Sequence, residues 1–188
     1  MGPFEYLLTF LSIVLGLAIA DLCVSLNRLL GAGPRVGWDW LSPLAALVAF
    51  LKIVTQWWTW FFAAPLAKGV TFEMFLAALT SAVLLYLIAA AALPDSVEEG
   101  VDLRAYFERT RRRYWLLFAA EFALTNAVSA WAQIQVQGAR FSWLAPGYLI
   151  LPAAVALAFV RFRPLQIAAF CALTVIYLVQ FAGRSLAG

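Results

Sequence analysis

The chain has 188 residues, 65% of them hydrophobic and 12% charged, with a mean hydropathy of +0.89. Soluble domains carry about 25% charged and about 45–50% apolar residues, so this composition fits a bilayer as solvent better than water. There is no histidine, which excludes Ser-His and Cys-His catalysis, His-ligated haem and the usual His-containing zinc sites. The basic pI near 9.1 comes from few residues set beside apolar runs, where membrane orientation accounts for them without nucleic acid.

The expected fold is all-α: a single domain, residues 1–188, built as a polytopic bundle of six transmembrane helices. The first span covers about Phe4–Leu30. It is too long for a secretory signal and lacks a positive n-region, so it reads as a retained span. Gly31-Ala-Gly-Pro34 ends it. Ser12, Gly16, Ala20 and Cys23 share one side, a small-residue face suited to close helix approach. The second span covers about Trp40–Ala63, before Pro65, and the third about Thr71–Leu93, before Pro94. Ser96 and Glu99 have the spacing of a capping box. They predict an interfacial amphipathic helix near 96–113, with Val101, Tyr106, Phe107, Thr110 and Tyr114 close to one face. It leads into the fourth span, about Tyr114–Val136. The fifth, about Ser142–Val160, contains Pro146 and Pro152. The sixth runs from Pro164, a good first-turn residue, to about Ala182. Cys23 and Cys171 lack any CxxC or ligand spacing and read as small buried hydrophobes.

Charge sets the expected orientation. Connections 1–2, 3–4 and 5–6, with adjacent span ends, hold Arg28, Arg35, Arg104, Arg109, Arg111, Arg112, Arg113, Arg161 and Arg163; the other side holds Lys68, Arg140 and Arg184. The larger group belongs in the cytoplasm, giving an N-out/C-out protein. Tryptophans agree as an aromatic belt: Trp38, Trp40 and Trp115 at cytoplasmic ends, Trp57, Trp58, Trp60, Trp131 and Trp143 at outer ends. Trp40 and Trp60 are about 30 Å apart along a helix, one hydrocarbon thickness. Arg28, Arg109, Arg111, Arg112 and Arg113 form a cytoplasmic anchor, the last four at the level of anionic lipid headgroups.

Asp21, Lys52 and Glu121 lie inside apolar spans. Each costs on the order of 2.5–3.5 kcal/mol at a helix centre, against a gain of about 0.3–0.6 for each large apolar residue. Counted from the cytoplasmic ends, their depths are roughly 13, 18 and 12 Å, so all three fit one layer of the inner leaflet. Arg28 is placed to supply a second cation near Asp21. On the fourth span Glu121, Thr125 and Ser129 make a polar stripe, widened by Asn126, Gln133 and Gln137, with Gln135 near it. Lys52, Gln56 and Thr59 make another on the second span, and Gln166, Thr174 and Tyr177 a third on the sixth. Polar contacts between helices contribute only about 0.6 kcal/mol on average. That does not require three ionisable groups, so the cluster points to a working site.

The expected function is a channel or transporter for protons or small ions. Its path residues are Asp21, Lys52, Glu121, Gln56, Thr125, Asn126 and Ser129. The alternative is a non-transporting accessory, assembly or sensor subunit. No catalytic motif, metal site or cofactor is indicated. The expected partners are the lipid bilayer and further copies of the chain, since Ala153, Ala154, Ala158, Ala168, Ala169 and Ala172 permit tight helix contacts. The opening Phe4-Glu-Tyr-Leu-Leu-Thr-Phe-Leu-Ser-Ile-Val-Leu-Gly-Leu-Ala-Ile-Ala-Asp21 resembles the N-terminus of a family of small uncharacterised bacterial six-span membrane proteins. The resemblance implies an inner-membrane location and carries no activity. In span number and length the chain is also similar to a family of bacterial potassium channels. Their first-span Phe-Ser-Asp signature is absent here, and no residue is carried over from them.

Overall fold

The computed structural model describes residues 2–63, 70–97, 100–137 and 150–180, the side chains of Pro3, Ala63 and residues 132–137 excepted. Its helices are α1 (Pro3–Ala32), α2 (Leu41–Ala63), α3 (Phe72–Ala92), α4 (Leu103–Gln137), α5 (Ile150–Phe159) and α6 (Arg163–Gln180). Two short extended segments, β1 (Val36–Gly37) and β2 (Val101–Asp102), pair in parallel.

Helix ends follow local chemistry. The Thr71 side chain accepts a hydrogen bond from the Met74 N–H, capping α3. The helix expected near 96–113 is corrected. It starts at Leu103 and forms one rod with the fourth span, 35 residues long in all. The cap is Asp102, whose Oδ1 accepts from the N–H groups of Arg104 at 2.9 Å and Ala105 at 3.4 Å. Ser96 lies outside any helix, and Glu99 is outside the described residues. Gly100 explains the later start. Its φ is +85°, and a Cβ there would sit 3.3 Å from the Arg35 carbonyl oxygen. That backbone feeds β2 against β1 instead of a helical turn.

α2 is the central element, packing on α1, α3, α4 and α6; α1 also lies along α3, and α4 along α3 and α5. The buried side of α1 carries Leu7, Leu11, Leu15, Ala18, Leu22, Ser25 and Leu29. Gly16, Ala20 and Cys23 face outward, away from the bundle's own core; Cys23 and Cys171 are exposed, which corrects their reading as buried hydrophobes. Leucines fill the α1–α3 seam because their volume interdigitates there. Trp115 is corrected too. It is 1% exposed and belongs to the core, not to a belt.

Four of these helices, α1, α2, α3 and α6, are long and apolar enough to cross a membrane. The described part of α5 has 10 residues, about 15 Å, half a hydrocarbon thickness. α4 has the length but not the apolarity, because it carries Glu121, Thr125, Asn126 and Ser129. Large apolar side chains such as Ile13, Leu17, Val175, Leu178 and Val179 are more than half exposed. An exterior this apolar suits lipid.

Candidate functional site

Lys52 and Glu121 meet at the centre of the bundle. Lys52 comes from α2 and Glu121 from α4, with 6% and 0% of their surfaces exposed. The Lys52 Nζ lies 3.0 Å from Glu121 Oε2, a charge contact without hydrogen-bond alignment. Lys52 instead donates to Gln56 Oε1, one turn along α2, at 3.1 Å. Glu121 Oε1 accepts from Thr125 Oγ1 at 2.7 Å and from Ser81 Oγ of α3 at 3.1 Å. The i,i+4 spacing of both helices therefore supplies one polar partner to each charge, and α3 supplies the third. A buried pair tolerates its desolvation only when such additional bonds accompany it.

A cavity of about 250 Å³ adjoins the pair. Gln56, Ser81 and Thr125, the direct partners of the two charges, line it. From there it extends toward Phe4, Trp60 and Met74, at the N-terminal ends of α1 and α3 and the C-terminal end of α2. Its walls are mostly apolar, so its polar groups converge where the charges are.

On the opposite side the bundle is filled by rings. Tyr114, Trp115 and Phe118 of α4 are one to two turns before Glu121 and pack with Phe170 of α6. All four are at most 1% exposed. The Tyr114 hydroxyl donates to the Ala45 carbonyl at 2.9 Å, and Trp115 Nε1 donates to Gln166 Oε1 at 2.7 Å. Tyr177 of α6, seven residues after Phe170, is also buried. Its hydroxyl is buried without a hydrogen-bond partner among the described residues.

Of the residues expected along a path, Lys52, Glu121, Gln56 and Thr125 form the cluster itself. Ser129 lines the cavity. Asn126 lies apart from the charges in its bonding, donating to the Phe122 carbonyl of its own helix at 2.6 Å. Asp21 does not join. It is half-buried on α1 and makes no hydrogen bond or ion pair among the described residues. Arg28 is not its counter-ion; it donates to the Asp95 carbonyl at 2.7 Å. The side chains of Gln133, Gln135 and Gln137 lie outside the described residues, as do Lys68, Arg140, Trp143 and Arg184. Within the anchor, Arg109, Arg112 and Arg113 are exposed, with the Arg112 guanidinium 5.0 Å above the Phe159 ring. Arg111 reaches inward to the Val160 carbonyl at 2.6 Å.

Sequence reasoning missed Ser81. A serine in an apolar span costs too little to stand out, but its position midway along α3 was a usable signal. Gln166 and Tyr177 were legible only as polar spacing. The first holds a tryptophan, and the second buries its hydroxyl without a hydrogen-bond partner among the described residues.

Among the described residues, no three His, Cys, Asp or Glu side chains are grouped to hold a metal ion. The chain matches no protein-family model, no curated protein and no solved structure. What it does must therefore be argued from this geometry.

Proposed function

We propose that the protein is a multi-pass transporter of protons or small cations in a bacterial inner membrane, with Glu121 as the cargo-binding carboxylate. The observation that carries this reading is a fully buried Lys52–Glu121 pair at the foot of a cavity. A cation arriving through the cavity competes with the Lys52 ammonium for Glu121, and the hydroxyls of Thr125 and Ser81 bear on the same carboxylate. Lys52, already held by Gln56, is then released from the pair without losing every partner. A proton acts equivalently by neutralising Glu121. The surrounding rings favour a carrier or gated path over an open channel. In the N-out/C-out, six-span arrangement supported by the arginine count, the cavity lies toward the outside.

Flux into liposomes under a pH or cation gradient tests this. Wild type is expected to conduct, and Lys52→Met/Glu121→Gln, which leaves neither charge buried alone, to be silent while keeping its fold. The reading fails if wild type and an Asp21→Asn/Glu121→Gln double variant are equally silent and both folded.

The accessory-subunit reading has one observation in its favour, the outward-facing Gly16, Ala20 and Cys23 stripe on α1. It predicts no flux in any variant and loss of a bound copy or partner when Gly16 is replaced by a bulky residue.

A further inference from the structure

A second cavity, of about 610 Å³, lies at the other end of α4, lined by Arg109 and Arg111 of α4 and by Arg161 and Arg163 at the α5–α6 junction. Among the described residues, Glu108 is the one carboxylate in its lining. Glu108 is itself paired, with Arg104 at 3.4 Å. Asp39 pairs with Arg163 through one terminal nitrogen. The other terminal nitrogen of Arg163 is buried with no hydrogen-bond partner among the described residues, and so is Nε of Arg111. Arg109 and Arg161 are exposed and make no hydrogen bond or ion pair among the described residues. Gln166 at the floor is fully used, donating to the Leu157 and Val160 carbonyls and accepting from Trp115.

We propose that this cavity binds a phosphate-bearing anion between Arg109 and Arg111 on one side and Arg161 and Arg163 on the other. Guanidinium forks match phosphate oxygens two at a time, and the unpartnered N–H groups otherwise remain an uncompensated cost. Burial first, and the neighbouring Arg161 charge second, push the Arg111 guanidinium below its ordinary pKa. An anion removes that repulsion. The volume exceeds what one phosphate group needs, and Leu41 and Phe107 give part of the lining an apolar character. The phosphate can therefore belong to a free solute or to a lipid headgroup.

Two probes separate these sources. Delipidated full-length protein in neutral detergent is titrated with inorganic phosphate at constant ionic strength, following thermal unfolding. The same protein is then reconstituted into phosphatidylcholine nanodiscs with and without phosphatidylglycerol. Saturable stabilisation by inorganic phosphate identifies a free-anion site, and stabilisation by phosphatidylglycerol alone identifies a headgroup site; either supports the proposal. Arg109→Gln/Arg161→Gln, changed at two exposed positions, should weaken the apparent affinity about tenfold or more. Arg35→Gln, outside the cavity, should leave it unchanged. Absence of stabilisation by both probes, or an equal response in the double variant, overturns the proposal.

Discussion

The two cavities lie toward opposite ends of α4 and handle charge in opposite ways. The first is apolar-walled and adjoins charges matched one to one: Lys52 with Glu121, each with its own hydrogen-bonding neighbours. Among the described residues, the second gathers four guanidiniums around a single lining carboxylate and leaves two buried N–H groups unpartnered. In the membrane setting proposed above, the difference follows from the surroundings. Deep in a bilayer there is no water or counter-ion to complete an unmatched charge, so matching must be internal. At headgroup level, anions are at hand and a surplus of cations can be completed from outside.

The largest expected effect comes from unmatching the first cavity. Lys52→Met leaves Glu121 buried without its cation and should cost about 3–5 kcal/mol of stability, read as a lower unfolding midpoint in detergent. Lys52→Met/Glu121→Gln should regain most of the loss. Equal losses in single and double variants would show that the pair is not one matched unit. A smaller effect is expected where the second cavity meets the core. Gln166→Leu removes the acceptor of Trp115 Nε1 and the donor to Leu157 and Val160. It should cost about 1–3 kcal/mol; no loss would mean that the floor of this cavity does not depend on the bridge.

The smallest effect concerns the α4 segment that carries the second cavity's arginines. The Tyr106 hydroxyl donates to the Leu93 carbonyl at 2.8 Å. Burial, and then the Asp95 carboxylate, push it up to about 12. The folded state therefore holds this proton more tightly than the unfolded chain, where the ordinary value is about 10. Its contribution is complete below pH ~10 and is lost as pH rises through about 12. Tyr106→Phe should cost about 0.5–1.5 kcal/mol at neutral pH and flatten that alkaline step. An unchanged alkaline profile would locate the step elsewhere.

Much of this was legible before the structure. Proline and glycine positions and apolar run lengths place α1, α2, α3 and the start of α6 within a few residues, because breaker chemistry is local. Depth counting brings Lys52 and Glu121 together, because both are measured from the same interface. Depth says nothing of azimuth, however, and Asp21 shows the consequence. It shares the expected layer, yet α1 turns its leucine side inward, and that choice belongs to packing with α3 and α2. Ser96 and Glu99 illustrate the same limit locally. Their spacing suits a helix start, but pairing with a distant segment at Val36–Gly37 holds the backbone extended up to Asp102. The basic cavity was half visible: Arg109 and Arg111 stood in one run, but only the tertiary fold sets Arg161 and Arg163 opposite them.

That β1–β2 pairing ties the α1–α2 connection to the α3–α4 connection at a single end of the bundle. In mechanical terms it is a pivot. If the helix pair α1–α2 rocks against α3–α4, the clasped end moves least and the far end most. Trp60, beside the apolar cavity, is nineteen residues along α2 from Leu41. At the helical rise this is roughly 28 Å, so a tilt of about ten degrees displaces the cavity end by roughly 5 Å. Two short backbone segments thus fix the end of the bundle far from the cavity that adjoins the buried ion pair.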